Sequence, residues 1–432
     1  MLTTTFSVSS RNLYTISIKV LFALGIVLFS SCKSPTSPTE PPNKVVFTLG
    51  TKSTVGTQAI SGSGGTLTIS GTQTKLDGLT LTVSPFAYTG SKTFAVSYSP
   101  ITSSTLSADL VALTPMITIS NGGGYADSVI MLKIPVTIPT GSFAGAFFYN
   151  ESTGELEPIS LAEETSTSIT VATRHFSTSN ITSGAMSGKG PHPEDLSSYS
   201  DIVILAMDET KLFALGSVTT QFKPGTDDWE FTNFGSYIAT GGICAGQSMT
   251  AMWYYYQQKG IENHGLFGYL DPNANVQNDD RLGYRFASVV HRDLANWDVN
   301  LTSKKFQGLN PPLTFKMFLL SMYVTKQPQM VSMLETANLG GHAMVCYGVQ
   351  VTDKLNGKLL VEDPNHPGQA NEIKYVNGVL GPYPAGLRAD GTPESFDVIA
   401  LGGKSALINW TQIATRWAQL KAKTIGNVAP NA

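Results

Sequence analysis

Cysteine is scarce. The 432-residue chain has three, Cys32, Cys244 and Cys346, which excludes a disulfide framework and leaves large hydrophobic cores to supply stability. Only two cysteines follow the first, and no two of the six histidines fall at zinc-site intervals, so no metal is expected. Charge is sparse as well. With 14% charged residues, a formal net charge of −3 and no basic cluster interleaved with aromatics, nothing calls for a polyanionic partner such as nucleic acid. A Walker loop and a strand-linked Gly-x-Gly-x-x-Gly are missing, and with them the case for a nucleotide or another cofactor. There is no internal repeat, and past residue 31 no run is long and apolar enough to span a bilayer. What is present is 41% hydrophobic content, ample for two globular domains.

Cys244 stands in Gly-Gly-Ile-Cys-Ala-Gly-Gln-Ser-Met-Thr-Ala-Met-Trp-Tyr-Tyr-Tyr, where a glycine turn hands the chain to an amphipathic segment. Ala245, Met249, Met252, Trp253 and Tyr256 recur at helical spacing, and Gly260 fits a C-terminal cap. Cys244 therefore opens a buried helix. The helix dipole and unpaired N–H groups at that end favour a thiolate, and a neighbouring imidazolium favours it further.

His342 begins Ala-Met-Val-Cys-Tyr-Gly-Val, a run apolar on both faces, as expected of a strand packed on both sides. Downstream, Leu359 to Val361 form a short apolar strand that ends at Glu362-Asp363-Pro364, where proline stops the ladder. Asp363 is placed to orient the histidine. Cys, His and Asp in this order supply a nucleophile, a general base that becomes an acid, and a group that fixes the tautomer.

These motifs resemble the papain-like cysteine peptidases, especially bacterial members with Gly-x-Cys-x-Gly-x-Ser before a helix, Gly-His-Ala-x-x-x-Tyr-Gly on a strand and Asp-Pro-Asn-x-Pro-Gly after the next. The resemblance covers roughly residues 197–425 and implies Cys244 as nucleophile, His342 as base and Asp363 where papain has asparagine. Such enzymes usually carry a glutamine shortly before the nucleophile to complete the oxyanion hole. Residues 234–240 contain none, and Asn233 is the nearest upstream amide. The hole then rests on the Cys244 backbone N–H with Asn233 as the candidate second donor, and losing one donor typically costs about a hundredfold or more in rate. Register raises a second point. Asn356-Gly357 is the strongest hairpin signal between His342 and Asp363, and direct opposition of the two needs a turn near Thr352-Asp353, so a longer loop or a bulge is expected.

Each residue also has a plainer reading. A buried cysteine opening a helix is more often a small hydrophobe than a nucleophile, and it is the company of His342 and Asp363 that favours chemistry. Cys346 shares a face with His342 on a regular strand, about 13 Å further along, and reads as core; a Cys244–Cys346 disulfide is its rival. His192, His264 and His366 read as solvated loop residues. Trp253, Tyr254 and Tyr255 at helical spacing read as core.

At the amino end, Arg11 and Lys19 precede an apolar run from Val20 to Phe29, too short for a comfortable span and suited to a signal-peptide core, residues 1–31. Ser30-Ser31-Cys32 then resembles the lipobox of bacterial lipoproteins, with Phe29 in place of the commoner leucine. That resemblance implies acylation of Cys32 and a lipid-anchored protein of the bacterial cell envelope; the other reading is an ordinary cleavable signal with a chance cysteine. Residues 32–44 are proline-rich and read as an extended tether.

Residues 45–182 are rich in Thr, Ser, Gly and Val, with short alternating segments at 65–69, 79–83 and 129–134 between glycine turns, the pattern of a β-sandwich. Gly-Gly-Thr-Leu-Thr-Ile, Phe147 to Asn150 with Gly154 to Pro158, and Thr173-Arg174-His175-Phe176-Ser177 loosely resemble ZU5-like domains, some of which cleave themselves at His-Phe-Ser. The plainer reading of His175-Phe176-Ser177 is the last strand. Residues 183–196 read as a linker. Afterwards aromatics rise and helices precede strands, which implies an α+β domain closed by a helix with Trp410, Ile413, Trp417 and Leu420 on its core face. The expectation is a multidomain chain, an all-β sandwich followed by an α+β papain-like domain acting as a membrane-anchored thiol hydrolase on peptide or protein. The alternatives are an inactive papain-like scaffold in an adhesion protein and a transglutaminase-like amide-transfer enzyme.

Overall fold

Alternating Thr, Val and Ile between glycine turns gives strands, and a computed structural model of the chain is mostly β. It describes residues 43–176, 201–270, 281–294, 311–337, 340–387, 391–404 and 408–426. Cys32, the signal segment, the tether up to residue 42, Ser177, His192 and the 183–196 linker lie outside the described residues. Two antiparallel sheets occupy the first part. One runs in the order Glu155–Pro158, Ser142–Asn150, Asp201–Asp208, Met116–Ser120, Lys92–Ser99 and Ser53–Ile60, with Val111–Ala112 paired beside it. The other runs Ser160–Thr165, Ser168–Thr173, Ile130–Pro135, Thr80–Val83 and Gly65–Thr68. Strand Ile130–Pro135 alternates as the pattern predicts: Ile130, Leu132 and Ile134 are buried and Lys133 is exposed.

Strand Asp201–Asp208 departs from the sequence reading, which gives residues 197–425 to the second domain. It is an interior strand of the first sheet, paired to Ser142–Asn150 on one side and Met116–Ser120 on the other. Its sequence Asp-Ile-Val-Ile-Leu-Ala-Met-Asp is apolar on both faces, and seven of its eight residues are buried. His175 and Phe176, read as part of the last strand, instead follow the end of strand Ser168–Thr173; both are buried, and His175 stacks on Phe148 with ring centroids 5.8 Å apart.

The second part centres on another antiparallel sheet, in the order Val379–Leu380, Asn371–Val376, Asn356–Glu362, Gly341–Asp353, Gln329–Leu334 and Val398–Gly402, with Ser217–Thr219 paired to the long strand. Helix Cys244–Gln257 packs on that long strand and against helix Arg281–Leu294. Helix Trp410–Lys421 buries Trp410, Ile413, Trp417 and Leu420, the stripe its spacing predicts. Trp417 meets Trp253 and Tyr254 of helix Cys244–Gln257 and Phe286 of helix Arg281–Leu294, so those aromatics are core. A two-stranded ribbon, Tyr383–Leu387 with Pro393–Phe396, stands beside the sheet.

The two parts share a polar seam. Lys404 meets Glu157 at 3.0 Å with both side chains buried, and the Gly403 N–H donates to Ser160 Oγ at 2.7 Å. Burial pushes Glu157 up to about 7 against the pull of Lys404, and pushes Lys404 down. Among the described residues no helix is long and apolar enough to cross a membrane.

Candidate functional site

Register decides whether His342 can reach Asp363. The hairpin between their strands closes tightly, with Asp353 opposite Asn356. Continued without interruption, that register would set Asp363 opposite Cys346 and leave His342 about 13 Å along the strand. Two bulges, at Val351/Asp353 and Cys346/Gly348, each insert one residue on the His342 strand. A single bulge would turn the histidine to the opposite face; two restore the face and carry it two residues closer. By Val345 the partner is Glu362, so His342 lies diagonal to Asp363 on the same face, and its Nε2–H donates to Asp363 Oδ1 at 2.7 Å.

Helix Cys244–Gln257 brings the thiol to the other side of the ring. Cys244 is its first residue, and the preceding Ile243 offers no side-chain cap. Asn233 takes that place from a distance: its Oδ1 accepts from the Ile243 N–H, its Nδ2 donates to Asn365 Oδ1 at 2.9 Å, and its N–H donates to the Pro364 carbonyl at 3.0 Å. One amide thus ties the start of the helix to the Asp363 turn. Gly242 has φ +121°, and a Cβ there would sit 2.9 Å from Asn233 Oδ1, so only glycine lets the chain pass. At Gly246 a Cβ would lie 2.0 Å from the Ala287 carbonyl, which is how closely helix Arg281–Leu294 approaches. The second turn of helix Cys244–Gln257 is pinned to the His342 strand by Ser248, whose Oγ donates to the Ala343 carbonyl at 3.1 Å.

Electrostatics follow from this placement. Burial alone would raise the Cys244 thiol, but the charge and hydrogen bond of His342, helped by the N–H groups of Ala343 and Ala245, hold it below its ordinary range. Burial likewise opposes charge on His342; the Cys244 thiolate and the Asp363 hydrogen bond overcome it and push the imidazole up to about 10. Asp363 is fully buried, yet the hydrogen bond and charge of His342, then Tyr383 and Asn365, keep it below the usual carboxylate range. Three donors explain why: His342, the Tyr383 hydroxyl at 2.6 Å and the Asn365 N–H at 2.8 Å, each worth about 1.5–3 kcal/mol to a charged acceptor. The neighbouring Glu362 has the opposite fate. Burial and the repulsion of Asp363 and Glu230 raise it well above its ordinary value, and burial with Glu362 and Glu230 does the same to Asp228. Of the adjacent Glu-Asp pair, Asp363 is therefore the one whose charge the site favours. Among the described residues no group of three or more His, Cys, Asp or Glu side chains is disposed to hold a metal ion.

Spacing alone does not reveal three other contributors. Tyr383 and Phe396 are direct partners across the two-stranded ribbon, and the ribbon grips both Asp363 and His342: Tyr383 bonds Asp363, and Phe396 stacks on the His342 ring at 5.5 Å and 17°. His291, on helix Arg281–Leu294, accepts from the Gly246 N–H through Nδ1 at 3.4 Å. Burial holds it below its ordinary value although the Ile243 carbonyl favours its charge, so it faces the helix start as a neutral acceptor. The Asn-x-Pro-Gly turn after Asp363 carries His366, whose Nε2 lies 4.0 Å from Asp363 Oδ2. Both Cys244 and Cys346 are free thiols, so the rival disulfide does not form.

The arrangement brings together a thiol held toward its thiolate, an imidazole held toward its imidazolium and a carboxylate that holds the ring. In comparisons with known proteins, no family model and no curated protein matches the chain.

Proposed function

We propose that the chain is a thiol hydrolase of amide bonds, most simply a cysteine peptidase with a papain-like α+β domain. The observation that carries this reading is the single ring of His342 engaged on Nε2 by Asp363 and hydrogen-bonded to Cys244. With Nε2 taken, Nδ1 is the nitrogen left for the thiol. The Cys244 thiolate attacks the substrate carbonyl, forming the C–S bond and an oxyanion. The Cys244 backbone N–H at the helix start is the first donor to that oxyanion, and the second proton of Asn233 Nδ2, whose first goes to Asn365, is the candidate for another. The His342 imidazolium protonates the leaving amine as the C–N bond breaks, which leaves a thioester and a neutral ring. His342 then takes a proton from water, hydroxide adds to the thioester, and the acid departs as Cys244 is regenerated.

The wider reading remains part of the proposal: a ZU5-like sandwich before the enzyme domain, and a lipid on Cys32 holding both at a bacterial envelope membrane. Acyl chains contribute about 0.8 kcal/mol per buried methylene, enough to retain an otherwise soluble protein. Cys32→Ser should shift the protein from the detergent fraction to the aqueous one or leave the precursor unprocessed; unchanged retention with normal maturation would refute the anchor. An amine acceptor in place of water would give the amide-transfer alternative on the same residues. The enzyme reading is tested by incubating the protein with a fluorogenic peptide mixture and looking by mass spectrometry for an acyl adduct on Cys244. Neither adduct nor cleavage, with a thiol whose reactivity ignores His342, would favour the inactive scaffold.

A further inference from the structure

The loop that leads into the nucleophile is unusually apolar where it meets solvent. Among the described residues ten large hydrophobic side chains are exposed, and three of them, Phe234, Tyr237 and Ile238, fall within five consecutive positions. Scattered exposed apolar residues are ordinary; three within one short loop that leads into a reactive group are not. Phe234 is 82% exposed and Tyr237 98%, on the loop whose Asn233 bonds Ile243, the residue before Cys244. The display is held rather than loose. Asn233 fixes one end of the loop to Pro364, Asn365 and Ile243, the Tyr284 hydroxyl donates to the Gly235 carbonyl, and Ser236 and Ala239 exchange backbone hydrogen bonds at 2.9 and 3.1 Å around Tyr237. From Phe231 to Ile243 the sequence has no Asp, Glu, Lys, Arg or His.

We infer that Phe234 and Tyr237 receive an apolar side chain of an extended peptide substrate beside the bond that Cys244 attacks, and so set specificity. This rests on the hydrolase reading above and names its substrate class: polypeptide with an uncharged, apolar or aromatic residue flanking the scissile bond. A loop already tied by these six hydrogen bonds, three made by Asn233, two across Ser236 and Ala239 and one from Tyr284, loses little freedom on binding. An uncharged aromatic surface offers no ion pair to an acidic side chain.

The test compares alkylation of Cys244 in the full chain by matched peptidyl chloromethyl ketones and epoxysuccinyl amides carrying Phe, Ala or Glu, each rate divided by that with iodoacetamide. The expected result is a preference of about tenfold or more for Phe over Ala and Glu in at least one probe class, the size a buried apolar group confers on specificity. Phe234→Ala and Tyr237→Ala should each remove most of it, with iodoacetamide rates and melting temperature unchanged. Equal rates for all side chains, or a preference that survives both substitutions, would overturn the inference while leaving the hydrolase reading intact. If iodoacetamide labels Cys244 no faster in wild type than in His342→Ala, the hydrolase reading itself fails and the inference falls with it.

Discussion

Two thiols lie within the same sheet-and-helix unit, both withdrawn from solvent, and they are driven in opposite directions. Cys346, on the interior of the His342 strand, meets the Gly348 carbonyl at 3.3 Å and Met322 Sδ at 3.8 Å. With only an acceptor and a thioether near it, burial pushes its thiol up to about 12. Cys244, at a helix start, is held below its ordinary range because His342 and two backbone N–H groups offset the same burial. Burial thus does not decide reactivity; the sign of what faces the sulfur does.

The comparison breaks first on selectivity. Iodoacetamide at neutral pH should label Cys244 at least about a thousandfold faster than Cys346, since the latter has almost no thiolate and no exposure; peptide mapping after timed quenching checks this, and comparable rates would erase the distinction. The next effect is on turnover. Asp363→Ala should cut peptide cleavage by about a hundredfold or more by releasing the ring's tautomer and orientation, while iodoacetamide labelling falls by less than about tenfold, because Asp363 acts on sulfur only through His342. Tyr383→Phe sharpens the same point: with one donor to Asp363 removed, stability should drop by about 1.5–3 kcal/mol in urea melts and turnover by less than about tenfold. The smallest effect belongs to Cys346→Ala, which should cost about 1–2 kcal/mol of core packing and leave Cys244 labelling unchanged.

Much of this contrast was legible in the sequence. Glycine before Cys244, a helical stripe after it, and an apolar strand on each side of His342 and Asp363 are local signals, and local signals place residues on elements. The stripe of Trp410, Ile413, Trp417 and Leu420 was legible for the same reason. Meeting of the elements was harder to read. The two bulges that bring His342 to Asp363 have no composition of their own at Cys346–Gly348, so the hairpin signal implied a need for them without locating them. Tyr383, Phe396 and His291 reach the site through tertiary packing from distant segments. Strand Asp201–Asp208 was assigned across a boundary because its sequence fits any interior strand; only its partners reveal which sheet it joins.

The central claim, that His342 charges Cys244, is tested most directly by the pH profile of Cys244 alkylation in wild type and His342→Ala, measured from pH 4 to 11 by mass spectrometry. In the coupled pair the apparent constants belong to both groups. Wild type should become reactive well below the free-thiol value of about 8.5, hold a plateau through neutrality, and change again only as His342 deprotonates near about 10. With the imidazolium gone, burial alone should move the rise in His342→Ala above about 8.5 and reduce labelling at pH 6 by about tenfold or more. Coincident profiles in the two proteins would contradict the account.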